Sequence, residues 1–128
     1  MATDKEFLKA FQSSWSKNKY WVMSRSQQGY NQIRLLAKGN IWTLEKQQEY
    51  ETILEQLNQV VPTEKTLRVT YQHIWGYFKK QADNSEKETY QQLISSNVLD
   101  DGELELFLKN LAVKYNQEYL LKMRWLLD

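Results

Sequence analysis

The sequence predicts an all-α fold, a single-domain bundle of about five to seven helices that spans residues 1–128. Apolar residues recur at spacings of three and four along most of the chain, which is the period of an amphipathic helix. Residues typical of helix starts and stops separate these runs, and no stretch alternates apolar and polar residues as a strand does. With one proline and four glycines among 128 residues, little interrupts long helices.

The first helical run begins at a capping box and extends to a glycine. Thr3 followed by Glu6 predicts a helix that starts one residue after the threonine. The apolar pattern then continues as far as Gly39 and Asn40, which form a C-terminal stop signal. The serine-rich residues 13–16 offer a point at which this run could divide into two helices.

If this run is one continuous helix, seven apolar residues share a broad arc: Leu8, Phe11, Trp15, Val22, Tyr30, Ile33 and Leu36. Lys19 and Ser26 lie inside the same arc, where polar side chains are not expected because the arc is otherwise apolar. One interpretation is that Lys19 extends to water and Ser26 hydrogen-bonds back to its own helix. The other is that Lys19, Ser26 and Tyr30 form a polar notch for a ligand. Outside the arc, an aromatic and basic surface is predicted from Tyr20, Trp21, Arg25 and Arg34.

Two helices are predicted next, at about residues 44–60 and 63–81. Thr43 and Thr63 are placed to cap them, and Pro62 separates them because proline cannot continue a helix.

Three shorter helices complete the prediction, at about residues 85–96, 104–112 and 119–127. Ser85 with Glu88 forms a second capping box for the first of them. Asp100 or Asp101 is expected to cap the next, because the residues that follow lack the ligand pattern of a calcium loop.

Residues 71–80 concentrate more aromatic and basic side chains than any other window of this length. On a helix, one narrow stripe of residues is predicted to be buried: Leu67, Tyr71, Ile74 and Phe78. His73, Tyr77 and Lys80 would share the opposite side, and Gly76 removes a side chain where a partner could approach the backbone. This face is either an ordinary solvated surface or a binding face, and spacing alone allows both.

Composition excludes several kinds of site. The chain has no cysteine, which rules out disulfides, thiolate metal sites and cysteine nucleophiles within it, and a single histidine rules out multi-histidine metal sites. No metal or other cofactor is therefore expected. No apolar run approaches the roughly 20 residues of a membrane span, and no secretion signal is evident, so a cytoplasmic protein without a membrane partner is expected.

Charge is segregated along the chain although the formal net charge is only +1. From Phe7 to Leu44 there are six basic residues and no acidic one, and Arg68, Lys79 and Lys80 add further positive charge. Acidic residues concentrate in residues 45–59 and 83–105. A basic and aromatic surface of this kind is typical of proteins that bind nucleic acid.

Two stretches carry a resemblance to a known family: KYWVMSRS at residues 19–26, with Tyr30, and YQHIWGYFKK at residues 71–80. The chain resembles the YbgA-like domain, a bacterial family of uncharacterised function. In that family a histidine usually precedes the Lys-Tyr pair of the first stretch, whereas this sequence has Asn18.

The resemblance implies a role in thionucleoside metabolism. YbgA-like domains occur alone or fused after a cysteine-bearing iron–sulfur domain similar to thiouracil desulfidases, and the fused proteins are linked to sulfur removal from 4-thiouridine in transfer RNA. In such a fusion the cysteine domain would carry the chemistry and the helical domain would hold the RNA. Because this chain has no cysteine, it cannot supply the cluster or the thiolate itself.

The first functional hypothesis is a non-catalytic domain that binds structured RNA such as transfer RNA. Basic side chains would neutralise phosphates, and aromatic or imidazole rings would stack on exposed nucleotides. The predicted contacts are Lys19, Tyr20, Arg25, Arg34, Arg68, His73, Tyr77, Lys79 and Lys80.

Two alternative hypotheses assign the chain to other functional classes. A small-molecule-binding or enzymatic domain would use a pocket lined by Lys19, Ser26, Tyr30, His73 and Tyr77, although no carboxylate in either motif orients the imidazole. A protein-docking subunit would instead bind a separate cysteine-bearing, iron–sulfur desulfidase-like protein. Its anchors would be surface tryptophans among Trp21, Trp42 and Trp125.

Overall fold

The computed structural model describes residues 3–127, which form a bundle of α-helices with no strand among them. The helices in chain order are α1 (Asp4–Arg25), α2 (Gln27–Ala37), α3 (Leu44–Leu57), α4 (Glu64–Trp75), α5 (Asn84–Ile94), α6 (Glu103–Lys114) and α7 (Glu118–Lys122). One 3₁₀ turn (Lys38–Asn40) follows α2. The predicted all-α fold is confirmed.

Local capping signals begin three of the helices where the sequence predicts. The Thr3 hydroxyl accepts a hydrogen bond from the Glu6 amide at 3.2 Å, and Thr43 and Thr63 cap α3 and α4 in the same way. α2 ends as expected before Gly39, whose φ of 88° is a conformation that glycine adopts without strain.

The first helical run divides at Ser26 and not at residues 13–16. Ser26 has an extended backbone, with φ −159° and ψ 113°, and separates α1 from α2. Its hydroxyl accepts a hydrogen bond from the Gly29 amide at 2.9 Å and so caps α2. The expectation that Ser26 bonds back to its own helix was therefore wrong, because this serine begins a new helix.

α4 is shorter than the predicted range of 63–81. It ends at Trp75, and the Gly76 amide donates to both the Gln72 and His73 carbonyls at 3.2 Å as the helix tightens into turns. Tyr77 then donates its amide to the Ile74 carbonyl at 3.1 Å. Tyr77 is therefore positioned by a turn, and it does not continue a helical face with His73.

Further boundaries differ from the prediction. α6 begins after Gly102 and not after Asp100 or Asp101, although Asp101 Oδ1 accepts from the Glu103 amide at 3.0 Å. α5 is capped by Asp83, two residues before the expected Ser85. Asp83 and Glu86 form a capping box, in which the amide of each residue donates to the side-chain carboxylate of the other. The last helix, α7, has only five residues, and the chain from Met123 to Leu127 is irregular.

That irregular C-terminal segment is part of the core. The Met123, Trp125 and Leu126 side chains are buried, with Leu126 fully so. The backbone is held by side chains of other helices: Glu105 Oε1 accepts from the Leu126 amide at 2.8 Å, and Arg25 Nη1 donates to the Leu126 carbonyl at 2.8 Å. Side-chain partners replace the hydrogen bonds that a helix would supply, which explains why an apolar run ends without a helix.

The centre of the bundle is the packing of α1 against α4. The predicted stripe is buried as expected, with Leu67, Tyr71 and Ile74 on α4 and Phe78 in the turns that follow it. The surface predicted outside the arc of α1 is not a surface at Tyr20 and Trp21, which are 6% and 1% exposed. Trp42 and Trp125 are buried as well, so the expectation of surface tryptophan anchors was wrong. A central helix packs against neighbours on several sides, so a prediction that assumes one buried face does not identify all of its buried residues.

Candidate functional site

Three tyrosines from separate elements meet at one place. Tyr20 of α1 and Tyr77 of the turn after α4 share a hydrogen bond, with their hydroxyl oxygens 3.1 Å apart. Tyr119 of α7 stacks on Tyr77, with ring centroids 5.9 Å apart and an interplanar angle of 14°, and meets Tyr20 edge to face at 6.2 Å. We call these three residues the tyrosine cluster.

The cluster joins the two sequence motifs. Tyr20 belongs to the first motif and Tyr77 to the second, and 57 positions of sequence separate them. Tyr20 is buried, while Tyr77 and Tyr119 keep part of their surface in solvent. The cluster therefore has a closed side, at Tyr20, and an open side formed by two parallel rings.

Burial favours the neutral form of these phenols. Burial raises the pKa of Tyr20 well above its usual value, and the hydrogen bond shared with Tyr77 adds to the effect. Burial also raises the pKa of Tyr119 to about 12, helped by the nearby Tyr77 and Tyr30 hydroxyls. At neutral pH both hydroxyls are protonated hydrogen-bonding groups and not bases.

Basic residues lie near the cluster in sequence, and one of them lies near it in space. Lys79 and Lys80 are exposed two and three positions after Tyr77, and His73 is exposed near the end of α4. The Lys19 ammonium lies 5.6 Å from the centroid of the Tyr20 ring. Within residues 3–127, none of the three lysines forms an ion pair. Their charges are therefore available to a partner.

Arg25, in contrast, is used inside the protein. Its Nη1 donates to the Leu126 carbonyl and to the Ser24 hydroxyl, and its guanidinium lies 4.2 Å from the centroid of the Trp21 ring. Burial lowers the pKa of Arg25, and repulsion from Arg124 lowers it further. The structure places Arg25 as a clamp on the C-terminal segment.

Arg68 is also engaged internally. Its Nη2 donates to the Ser96 carbonyl at 2.8 Å and its Nε to the Ile94 carbonyl at 3.3 Å, while Nη1 pairs with Glu64 at 2.8 Å. These carbonyls end α5, so Arg68 ties that helix to α4 and complements its C-terminal dipole. Like Arg25, it donates to backbone carbonyls inside the protein.

The five residues of the alternative pocket do not all share one set of neighbours. Ser26 caps α2 and lines a small cavity with Gly29 and Leu57 of α3. Tyr30 is buried, and its ring contacts Trp15 at 5.7 Å. Tyr77 contacts Tyr20 and Tyr119 directly, so rings and not an open space occupy the junction.

Sequence reasoning missed Tyr119. It lies in the short helix α7, outside both motifs, and no spacing rule connects it with residue 77. Its stacking on Tyr77 depends on how α7 and the C-terminal segment fold back onto the bundle, which only the tertiary structure shows.

The part of the chain that the structure describes has neither a metal-binding cluster nor a membrane-spanning helix. Residues 3–127 contain no group of three or more histidine or acidic side chains placed to hold a metal ion. Over the same residues, every helix is too short or too polar to cross a bilayer.

Comparison with known proteins gives one match. A family model described as "Protein of unknown function (DUF1722)" matches residues 19–127, a range that includes both motifs and Tyr119. No curated protein and no solved structure matches the chain. Since the family model covers most of the sequence, the chain belongs to this family of uncharacterised function, DUF1722.

Proposed function

We propose that the chain is a non-catalytic domain that binds structured RNA through the tyrosine cluster and the cations beside it. The observation that carries the proposal is the contact between Tyr20 and Tyr77. Lys19 of the first motif lies 5.6 Å from the centroid of the Tyr20 ring, and the exposed Lys79–Lys80 pair of the second motif follows Tyr77 by two and three positions in the sequence. A site assembled from both motifs would explain why both lie in one chain.

The charges suit a polyanion. Lys19, Lys79 and Lys80 have no acidic partner in the described residues, so a phosphate would meet cations that are not already neutralised. Arg25 and Arg68 donate to backbone carbonyls, and we leave them out of the proposed contact surface.

The open side of the cluster suits a nucleobase. The nearly parallel Tyr77 and Tyr119 rings are partly exposed, and unpaired RNA bases commonly stack on aromatic side chains. Each such stack contributes about 1–3 kcal/mol with little dependence on the base. Phosphates on the lysines and a base beside the rings would together hold a nucleotide that is not base-paired.

Transfer RNA is the first RNA to test. The resemblance to YbgA-like domains suggests it, because their fused forms are linked to removal of sulfur from 4-thiouridine in transfer RNA. In that setting this domain would be an accessory that holds the RNA while a separate cysteine-bearing protein does the chemistry.

The test is a filter-binding titration of the purified chain with bacterial transfer RNA over a range of salt concentrations. We expect affinity to fall steeply with salt, and the variant Lys79→Ala/Lys80→Ala to bind at least about tenfold more weakly, with a salt slope reduced by about 2. The matched control is Lys5→Ala/Lys87→Ala, which removes the same charge from exposed positions outside the cluster. Equal binding by the two double variants would contradict the proposal.

A second test separates stacking from charge. Tyr119→Leu keeps an apolar side chain in α7 but removes the ring that stacks on Tyr77. We expect weaker transfer RNA binding with an unchanged salt slope, because no phosphate contact is lost. A fold check by circular dichroism accompanies it, and full binding by a folded variant would exclude Tyr119 from the site.

A docking role is the second candidate, favoured by one apolar groove. Val113 of α6 and Leu121 of α7 are 69% and 45% exposed and line a groove together with Trp125. A desulfidase-like protein encoded by the same organism would place an apolar side chain there. Val113→Asp should abolish co-purification with that protein and leave transfer RNA binding intact. Co-purification that survives this variant would remove the groove from consideration.

A further inference from the structure

A groove open to solvent lies beside α1 and α2. It has a volume of about 670 Å³ and is lined by Trp15, Asn31, Arg34, Leu35, Ala37 and Lys38. This volume lies within the usual range for small-molecule sites, roughly 300–1,000 Å³. One side chain comes from α1 and the others from α2 and the turn that follows it.

Trp15 differs from the other four tryptophans of the chain. Those four are buried, whereas Trp15 keeps part of its ring in solvent and lines the groove. The ring is held by Tyr50, edge to face at 6.5 Å, and by Tyr30, tilted at 5.7 Å. A fixed, partly open indole is a surface on which a planar ligand can stack.

The charged groups in the groove are all positive. Arg34 and Lys38 are exposed and have no ion-pair partner in the described residues, and no acidic residue lines the groove. The Arg34 guanidinium lies 5.8 Å from the centroid of the Tyr30 ring, which limits its orientations. Two cations beside a planar ring fit a ligand that carries both an anion and an aromatic group.

Asn31 adds a polar group of suitable chemistry. Its Oδ1 accepts a hydrogen bond from Gln27 Nε2 at 3.2 Å, which leaves the amide nitrogen as a free donor at the groove. A donor beside an aromatic ring and two cations can hydrogen-bond a base edge, a ribose oxygen or a phosphate.

We propose that this groove binds a nucleotide, with the base stacked on Trp15 and the phosphate held by Arg34 and Lys38. A free mononucleotide and an unpaired nucleotide of an RNA strand present the same chemistry to these residues. The proposal uses none of the tyrosine-cluster residues and holds whether or not that cluster binds transfer RNA.

The experiment is an NMR titration of the ¹⁵N-labelled chain with AMP, adenosine, inorganic phosphate and an oligoadenylate RNA. The Trp15 indole signal is assigned as the one missing from Trp15→Phe. We expect AMP to shift this signal and to bind more tightly than adenosine or phosphate. Arg34→Gln/Lys38→Gln should weaken AMP binding by about tenfold or more, a loss of about 1.4 kcal/mol.

The matched control is Lys5→Gln/Lys87→Gln, which removes the same charge from two exposed lysines outside the groove and should leave AMP affinity unchanged. If oligoadenylate binds more tightly than AMP at the same indole, the source is an RNA strand, and if AMP binds more tightly it is a free nucleotide. Both outcomes support the proposal that the groove binds a nucleotide. The proposal would be overturned if adenosine or phosphate bound as tightly as AMP. A shift confined to another indole signal, or no shift at all, would also overturn it.

Discussion

At the scale of single residues, the C-terminal segment depends on one buried carboxylate. Glu105 is 5% exposed, and its Oε1 accepts from the amides of Leu126 at 2.8 Å and Leu127 at 3.3 Å. Two guanidinium groups, those of Arg25 and Arg124, lie on the ring of Trp21 at 4.2 Å and 3.7 Å. The Glu105 charge offsets part of their repulsion, which makes this carboxylate an element of the core and not of a surface site.

We expect Glu105→Ala to lower the free energy of unfolding by about 3 kcal/mol, because it leaves a buried amide without an acceptor and removes a compensating charge. Urea unfolding followed by tryptophan fluorescence measures the loss. Glu105→Gln is the matched control, since its amide oxygen can still accept from Leu126, and it should cost less than half as much. Equal losses would show that charge alone matters.

At the scale of elements, helix starts depend on short capping patterns, and such patterns are local enough to read from sequence. This is why the starts at Thr3, Thr43 and Thr63 were predictable. Ser26 carries the same kind of cap but was hidden, because apolar residues on both sides continue a helical period across it. The Asp83 cap of α5 was missed because two overlapping capping boxes compete in residues 83–88.

We expect Ser26→Ala to lower the free energy of unfolding by about 1 kcal/mol, since the Gly29 amide loses its acceptor at the start of α2. Ser26→Asp should retain most of the stability because aspartate also caps helices well. Ser13→Ala, an exposed serine inside α1, is the control and should cost nothing. A loss in the control as large as that in Ser26→Ala would argue against the capping role. Thermal unfolding by circular dichroism compares the three.

At the scale of the whole molecule, stability should depend on pH at both extremes. Hydrogen bonds from Tyr115, and from the Asp83 amide and Lys114, lower the pKa of Glu86 from 4.5 to about 2. Its contribution is therefore complete above about pH 4.5 and is lost as pH falls toward 2. Burial raises the pKa of Tyr90 and Tyr119 from 10.0 to about 12. Their contribution is complete below pH 10 and is lost as pH rises toward 12.

We expect these groups to leave the urea midpoint unchanged between about pH 4.5 and pH 10. The midpoint should decrease below the acid limit and above the alkaline limit. Glu86→Gln should flatten the acid limb, and Tyr90→Phe should flatten part of the alkaline limb while it keeps the ring stacked on Trp75 at 4.2 Å. If the urea midpoint of these variants changes with pH as steeply as that of the unmodified protein, other groups cause the pH dependence.

The sequence by itself determined the all-α fold, most helix starts and the buried stripe of α4, because helical period and caps act over a few residues. It also singled out Tyr20, Tyr77 and the lysines beside them. Tertiary structure alone decided that Tyr119 joins Tyr20 and Tyr77 and that Arg25 and Arg68 donate to backbone carbonyls inside the bundle. These contacts join residues far apart in sequence, and their formation depends on how the helices pack, which no local pattern encodes.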